Sequence, residues 1–236
     1  AVWYTQLDQF QQDQVLENRL FAIEKKIEEK PSSEVDFLER LASKASTPGG
    51  GSAAAYTAAE AAALVAMVGR LTLGKKNYAA VESRMLQLVE QADDLKNTLA
   101  EAVQLDADAF NTYMLAMKLP KETPEEIAHR QLDMEGAILN AAIVPHRVAG
   151  LAMQVLRLAL SAAEFGNVNA ISDAASACQL AIAAVRCAGL NVRINLNTLR
   201  NPSDADHLLA DLDQYEKEVA ESVPLLAAQL HQRANL

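Results

Sequence analysis

Three consecutive glycines lie in the segment Thr47–Ser52, TPGGGS, immediately before an alanine-rich stretch. A glycine-rich turn that opens a helix leaves backbone N–H groups uncovered, and the helix N-terminus adds a partial positive charge. The backbone of Gly49, Gly50 and Gly51 can then approach anionic or carbonyl oxygens of a ligand, because no side chain intervenes. The alternative is a flexible connector that ends in Ser52 as a helix N-cap. The segment is not a Walker motif, and taken alone it supports both interpretations equally.

Two aspartates, Asp106 and Asp108, stand two residues apart in the segment LDADAF. On a helix such side chains project about 200° apart, so they cannot both face one pocket. Asp106 falls close to the apolar stripe that Leu99, Val103 and Phe110 define. An acid on a core-facing stripe needs a hydrogen-bonding partner or a catalytic function, and the sequence is compatible with either.

Lysines form two clusters in an acidic chain, one at Lys75 and Lys76 and the other at Lys118 and Lys121. Most surface lysines are only solvated charges, but such clusters also suit an anionic substrate group. If residues 80–117 form one unbroken helix, it is about 57 Å long, which puts the clusters at opposite ends of a subunit. A site that uses both then requires a break in the helix or a second subunit.

Amide side chains are concentrated in two segments, 167–173 and 191–197. In the first, a helix cap is the simplest explanation for Asn169 or Ser172 taken singly, and Asp173 follows closely. In the second, Asn191 and Asn195 are four residues apart and share a helix face. A face lined with amides suits a flat heterocycle with alternating hydrogen-bond donors and acceptors.

Composition excludes several classes of protein. The chain has 236 residues and a net charge of −10, which argues against non-specific binding of nucleic acid. The four histidines show no metal-ligand spacing, so no metal is expected. Cys178 and Cys187 lie about 13 Å apart on a helix, too far for a disulfide, and are expected to be buried free thiols. No run approaches 20 uninterrupted apolar residues and no signal peptide is visible, so we expect a cytoplasmic protein without a membrane span.

The apolar periodicity predicts an all-α fold, an antiparallel bundle of long helices joined by short turns. Thr123 is expected to cap one helix with Pro124 at its first position, and Pro145 to kink it. The alternation in 191–196 is typical of a strand, but no partner strand is predicted, so we interpret it as helix or the edge of a helix. Nine alanines in residues 53–66 favour close packing within a subunit or across a dimer. The predicted helices are 4–30, 33–45, 52–73, 80–117, 124–163, 170–188 and 201–234.

Six motifs in order resemble the formiminotransferase-cyclodeaminase C-terminal family, which includes a bacterial methenyltetrahydrofolate cyclohydrolase. They are TPGGGS (47–52), LTLGKKNY (71–78), DADAF (106–110), KLPK (118–121), NAISD (169–173) and NVRINL (191–196). Each is modest by itself, but six in order are specific. The resemblance runs from about Val35 to the C-terminus. Residues 1–33 are therefore expected to be an N-terminal helical extension or linker, and 34–236 a cyclodeaminase-like helical domain.

The resemblance implies a dimerising bundle that takes a tetrahydrofolate derivative as substrate and uses no metal and no tightly bound cofactor. Cyclodeaminase members, which serve histidine degradation, close 5-formimidoyltetrahydrofolate to 5,10-methenyltetrahydrofolate and release ammonia. Cyclohydrolase members hydrolyse the methenyl bridge to 10-formyltetrahydrofolate. We expect the cyclodeaminase reaction, with the cyclohydrolase reaction on the same site or a non-catalytic folate-binding or assembly protein as alternatives. The expected partners are the folate, polyglutamylated or not, a second or further copies of the chain, and a fused or separate formiminotransferase; nucleic acid and membranes are not expected.

The chemistry assigns roles to the motif residues. Ring closure needs N10 held against the formimino carbon, a proton delivered to the departing nitrogen and one removed from N10. We hypothesise that Asp106 or Asp173 is the acid/base group. Lys76 and Lys75 would contact the glutamate tail or the intermediate, and of these two Lys76 is predicted to be catalytic. Asn191 and Asn195 would read the pterin. The rest of the predicted substrate-binding set is Gly49, Gly50, Gly51, Ser52, Tyr78 and Asn169.

Overall fold

The computed structural model describes residues 33–199 and 205–236. All regular structure in these ranges is helical, which confirms the all-α class. The α-helices are α1 (Ser33–Leu41), α2 (Gly50–Thr72), α3 (Glu82–Ala116), α4 (Pro124–Phe165), α5 (Ile171–Leu196) and α6 (Asp206–Ala234), with 3₁₀ turns at Lys76–Val81 and Val168–Ala170.

The chain divides into two compact units, residues 1–45 and 46–236. Helix α1 is the described helix of the first unit, and it ends four residues earlier than the sequence predicts. The predicted helix at 4–30 lies outside the described residues, and the boundary at 33/34 stays a prediction. All features considered below belong to the second unit.

Helix α2 forms the small-residue centre of the second unit. Most of its alanines are buried, together with Val65, Val68 and Gly69. A Cβ built on Gly69 would lie 3.0 Å from Leu88 Cδ2, so glycine is what permits the close approach of α3 at this point. The alanine-rich segment therefore serves helix packing within the subunit.

Helix α4 packs against α2, α3, α5 and α6. Its start is the predicted one: the Thr123 hydroxyl accepts from the N–H of Glu126, whose carboxylate accepts in return from the N–H of Thr123. Pro145 lies within the continuous helix. At the other end, Arg233 of α6 donates to the carbonyl oxygens of Ala163 and Gly166, which satisfies acceptors that the helix C-terminus leaves unpaired.

Helix α5 extends to Leu196, eight residues beyond its predicted end, so the segment 191–196 is helical as interpreted. Its start is tied to the end of α2. The Asn167 side chain donates to the carbonyl of Leu71 at 3.1 Å, and the Asn167 N–H donates to the Thr72 hydroxyl at 2.8 Å. At the opposite end of α2, Gly50 lies against Asn191 near the end of α5.

Two sequence expectations need correction. Three segments, Gly50–Thr72, Pro124–Phe165 and Val168–Leu196, are long and apolar enough to cross a membrane, by length and composition only. The expectation that no window qualifies counted uninterrupted apolar runs, whereas alanine keeps the mean hydropathy high around isolated charges. Half or more of each apolar window is buried inside the bundle.

The second correction concerns the thiols. Cys178 and Cys187 are both free, but only Cys178 is buried. Burial raises the pKa of the Cys178 thiol to about 12. Cys187 lies on the outer face of α5 and is exposed, since nine residues of helix turn it to a different side.

Candidate functional site

A cavity of about 250 Å³ opens at the start of α2. One wall is the predicted glycine loop, and the others come from α3, α4 and α5. Four distant stretches of sequence therefore meet here, including Asp106 and the two asparagines. The lining residues are Ser46, Thr47, Gly49, Gly50, Gly51, Asp106, Phe110, Ala141, Asn191, Ile194 and Asn195.

The glycine loop places an uncapped helix N-terminus on the cavity wall. Gly49 is the N-cap of α2, without a side-chain cap, and the N–H of Ala53 makes the first bond of the helix to the Gly49 carbonyl at 2.9 Å. The N–H groups of Gly50 and Gly51 have no acceptor within the helix. Ser52 is not the N-cap: it lies inside the first turn and is fully buried. A ligand can therefore meet the backbone of the glycines but not the Ser52 side chain.

Asp106 of α3 lies against this helix N-terminus. The Ser52 hydroxyl donates to Asp106 Oδ2 at 2.8 Å. A Cβ on Gly51 would lie 2.6 Å from Asp106 Cγ, so only glycine leaves space for the carboxylate. Asp108 projects away, is exposed, and accepts from Gln104 Nε2 at 2.8 Å. Of the two aspartates, only Asp106 lines the cavity, as the angle between them on a helix predicts.

The environment of Asp106 changes its acidity. Burial raises the pKa of the Asp106 carboxyl, while hydrogen bonds from the Ser52 hydroxyl and backbone N–H oppose that rise. The carboxyl thus keeps its proton to a higher pH than an exposed aspartate would. A carboxyl of this kind suits exchange of a proton with a bound reactant, because it can both hold and release one.

The two asparagines have fixed amide orientations. Asn191 Nδ2 donates to the Cys187 carbonyl at 2.8 Å, and Asn195 Nδ2 donates to the Ala141 carbonyl at 2.6 Å. Both amide nitrogens are thus used inside the protein, and no described residue donates to either Oδ1. The cavity consequently presents two amide carbonyl oxygens and one carboxylate, a set that matches a ligand rich in N–H groups.

The other predicted site residues do not line this cavity. Lys75, Lys76, Tyr78 and Asn169 follow the end of α2 or precede α5, about 33 Å from Gly50 along the α2 axis. The Tyr78 hydroxyl accepts from the N–H of Val168 at 2.9 Å, which holds these two turns together.

Asp173 belongs to this second group. It lies in the first turn of α5, 18 residues before Asn191 and so about 27 Å from it. Helix α3 is unbroken from Glu82 to Ala116. A break in this helix therefore cannot bring the Lys75–Lys76 and Lys118–Lys121 clusters together within a subunit. Within one chain Asp173 therefore lies far from the cavity that Asp106 lines, and the hypothesis that either aspartate is the acid/base group stays a prediction.

Sequence reasoning missed several lining residues. Phe110 was identified only as part of an apolar stripe, and Ala141 and Ile194 carry no chemical signal at all. They reach the cavity because α4 packs against both α3 and α5, which periodicity alone does not reveal. Within residues 33–199 and 205–236, no three His, Cys, Asp or Glu side chains are grouped to hold a metal ion.

Comparison with known proteins identifies relatives over most of the chain. The family model described as formiminotransferase-cyclodeaminase matches residues 33–214. The chain is 43% identical over 177 residues to a Methylorubrum extorquens protein named methenyltetrahydrofolate cyclohydrolase, covering 75% of this chain and 85% of that protein. It is 34% identical over 163 residues to the rat formimidoyltransferase-cyclodeaminase, 69% of this chain but 30% of the rat protein. A crystal structure of formiminotetrahydrofolate cyclodeaminase from Thermotoga maritima superposes with a TM-score of 0.76 at 28% identity, covering 86% of this chain and 98% of that one.

Proposed function

Because the chain belongs to the formiminotransferase-cyclodeaminase family, we propose that it hydrolyses 5,10-methenyltetrahydrofolate to 10-formyltetrahydrofolate. The 43% identity to a cyclohydrolase, over 85% of its length, supports this reaction. Closure of 5-formimidoyltetrahydrofolate with release of ammonia is the second candidate, supported by the 98% coverage of the Thermotoga cyclodeaminase chain. This order reverses the one drawn from the sequence. Both reactions use a tetrahedral carbon between N5 and N10, so one site can serve either.

The observation that carries the proposal is the position of Asp106. Its carboxylate lies at the N-terminus of α2, hydrogen-bonded to Ser52, in the cavity that Asn191 and Asn195 also line. The methenyl substrate is a cation, so the ionised carboxylate stabilises it electrostatically. The pKa of Asp106, raised by burial, lets the same group take up a proton during the reaction.

In the proposed hydrolysis, water attacks the methenyl carbon while Asp106 removes one of its protons, giving a neutral carbinolamine. The protonated Asp106 then gives its proton to N5 as the bond from carbon to N5 breaks. The carbinolamine hydroxyl proton leaves to solvent as the formyl carbonyl forms on N10. In the deaminase reaction Asp106 would instead remove the N10 proton as N10 attacks the carbon of the protonated formimino group, and then give that proton to the amino group, which leaves as ammonia.

The pterin fits the polar groups of the cavity. Its N–H groups would donate to the Oδ1 atoms of Asn191 and Asn195, whose orientations are fixed by internal hydrogen bonds. Its carbonyl oxygen would accept from the free N–H groups of Gly50 and Gly51. Rigid donors and acceptors that fit one orientation of the ring place the reacting carbon against Asp106, a positioning effect of large value in catalysis.

We further propose that the neighbouring helices run antiparallel and that a second copy completes the site. Exposed apolar side chains lie on the outer faces of α2 and α5: Met67 and Leu71 are 36% and 44% exposed, and Leu190 and Ile194 are 66% and 62% exposed. The cavity lies at the start of α2 and the end of α5, whereas the lysines lie at the opposite ends. A two-fold axis across these helices would bring Lys75 and Lys76 of each copy to the cavity of its partner.

Charge favours this exchange, since the lysine group would meet the cavity that holds the Asp106 carboxylate. Lys75 and Lys76 would contact anionic parts of the substrate there, and Asp173 would come within reach of the same ligand. Three expectations stay predictions from the sequence: a cytoplasmic location, a fused or separate formiminotransferase partner, and the absence of a tightly bound cofactor.

The test is an assay of both folate substrates on the purified chain. Loss of the near-ultraviolet absorbance of 5,10-methenyltetrahydrofolate, above the spontaneous rate, reports hydrolysis. Appearance of the same absorbance from 5-formimidoyltetrahydrofolate, with stoichiometric ammonia, reports deamination. Folate binding without turnover of either compound would instead support the non-catalytic alternative.

A further inference from the structure

A second cavity, of about 130 Å³, lies beyond the first along α3 and α4. Its walls are formed by α3, by α4 and by the turn after α5. The residues that matter here are Tyr113, Arg130, Met134, Glu135, Ile138 and Thr198. None of these was singled out from the sequence, and the proposed reaction does not use them.

The two cavities follow one another along α3, α4 and the end of α5, and together they are called the groove below. On α3, Phe110 lines the first and Tyr113 the second. On α4 the corresponding pair is Ala141 and Ile138. Residues three apart on a helix share a face and are about 4.5 Å apart along the axis.

The same displacement is seen at the end of α5, where Asn195 lines the first cavity and Thr198 the second. The Thr198 hydroxyl donates to the Asn195 carbonyl at 2.6 Å, which fixes this step. The rings of Phe110 and Tyr113, with centroids 6.3 Å apart, form an aromatic pair between the two cavities.

Arg130 gives the second cavity its anion-binding character. Its Nε and Nη2 donate to the carbonyl oxygen of Met117, at 3.2 and 3.0 Å, which holds the guanidinium at the end of α3. In the part of the chain that the structure describes, Nη1 has no acceptor and no carboxylate pairs with the guanidinium. A guanidinium fixed on one edge and open on the other is well suited to a carboxylate.

A folate has its own groups in the same order: a pterin, an aromatic aminobenzoyl group and a glutamate with two carboxylates. Along the groove, the amide carbonyls and Asp106 come first, the Phe110–Tyr113 aromatic pair second and Arg130 third. Arg130 precedes Ala141 by 11 residues, which is about 16 Å along α4. We infer that the second cavity binds the glutamate of the substrate through a carboxylate on Arg130, with the aminobenzoyl ring across Phe110 and Tyr113. This inference presupposes the proposed folate substrate. It assigns the first glutamate to Arg130, which leaves further glutamates of a polyglutamylated substrate or the reaction intermediate for Lys75 and Lys76.

Glu135 lies on the same wall, and its negative charge opposes an anion in this cavity. Substitution of Arg130 and of Glu135 should therefore have opposite effects on the affinity for the glutamate. Removal of the Arg130 charge weakens binding of the glutamate, and removal of the Glu135 charge strengthens it.

The experiment compares KM for two substrates, the methenyl derivatives of tetrahydrofolate and of tetrahydropteroate, which lacks the glutamate. Arg130→Gln is expected to raise KM about tenfold for the first and to leave KM for the second unchanged, because one charge-assisted hydrogen bond is lost. Glu135→Gln is expected to lower KM for the glutamyl substrate alone. Arg147→Gln is the control, since Arg147 is exposed on α4 and lines neither cavity.

Equal KM changes on both substrates, or none on either, would overturn the inference while leaving the folate activity established by wild-type turnover. A glutamate-specific loss in the Lys75→Gln, Lys76→Gln double variant, with none in Arg130→Gln, would also overturn it. If Arg130→Gln does not fold, as judged by its melting temperature, the Glu135→Gln result decides: an unchanged KM ratio between the two substrates rejects the inference.

Discussion

The Ser52 hydroxyl in the first turn of α2 donates a 2.8 Å hydrogen bond to Asp106 Oδ2 in the second half of α3. Ser52 is fully buried, so its side chain can act on a ligand only through Asp106. The pair therefore joins the helix start that forms one cavity wall to the carboxyl that we place at the reacting carbon. It makes Ser52 a positioning residue.

Ser52→Ala should raise the pKa of Asp106 further, because the hydrogen bond that favours its ionised form is removed. As a base, Asp106 acts only when ionised, so the acidic limb of the pH profile of kcat/KM should move to higher pH. On the acidic limb kcat/KM should fall about tenfold, because the lost hydrogen bond is worth about 1.4 kcal/mol, and it should recover as the pH rises. Ser176→Ala, which removes an exposed bond to the Ser172 carbonyl, is the control. An acidic limb at its wild-type position would contradict the assignment.

Asp106→Asn should lower kcat by about 10²- to 10⁴-fold, because the amide keeps the shape of the carboxyl but cannot exchange a proton. Absorbance of methenyltetrahydrofolate measures the loss. Asp108→Asn is a matched control two residues away on the exposed face, and it should keep nearly full activity. Comparable turnover by the two variants would remove Asp106 from the acid/base role.

Gly51→Ala should disrupt the site and lower the free energy of unfolding by about 1–3 kcal/mol, since its Cβ overlaps the Asp106 carboxylate and must displace it. Gly136→Ala provides the contrast: nothing lies within 4 Å of its Cβ, and alanine in a helix stabilises by about 0.5–1 kcal/mol. Urea denaturation and kcat/KM measured on both variants test the pair. A fully active, stable Gly51→Ala protein would show that the observed approach of Asp106 is not needed.

Mixed oligomers test whether the site is shared between copies. Asp106→Asn and Lys76→Ala each inactivate one half of the proposed site, so each homodimer should be weakly active. After unfolding and refolding together, about half of the dimers are mixed, and each mixed dimer has one of its two sites intact. About a quarter of wild-type activity should therefore return. Activity that stays at the mean of the two variants would exclude a site shared in this way.

Periodicity was sufficient to predict that the described segments are helical and that Asp106, not Asp108, faces inward. Thr123 capped α4 as predicted since its hydrogen bonds are local. The end of α5 was missed: Gly189 follows the predicted end at 188, and in the structure it is buried within the helix, where packing outweighs its low helix propensity. The split between the cavity residues and Lys76 follows from tertiary packing. So does the presence of Ala141 and Arg130 in the groove, since neither residue type indicates a site by itself.

Helix α2 carries the glycine turn at one end and the lysine turn at the other, and it is 23 residues long. Each residue added to or removed from it would shift one end by about 1.5 Å and rotate it by about 100° relative to the other. If the two halves of the site meet across a dimer, the length of this alanine-rich helix sets the distance between the glycine turn and the lysine turn. Exchanges among small residues along it should then be tolerated far better than a single insertion or deletion.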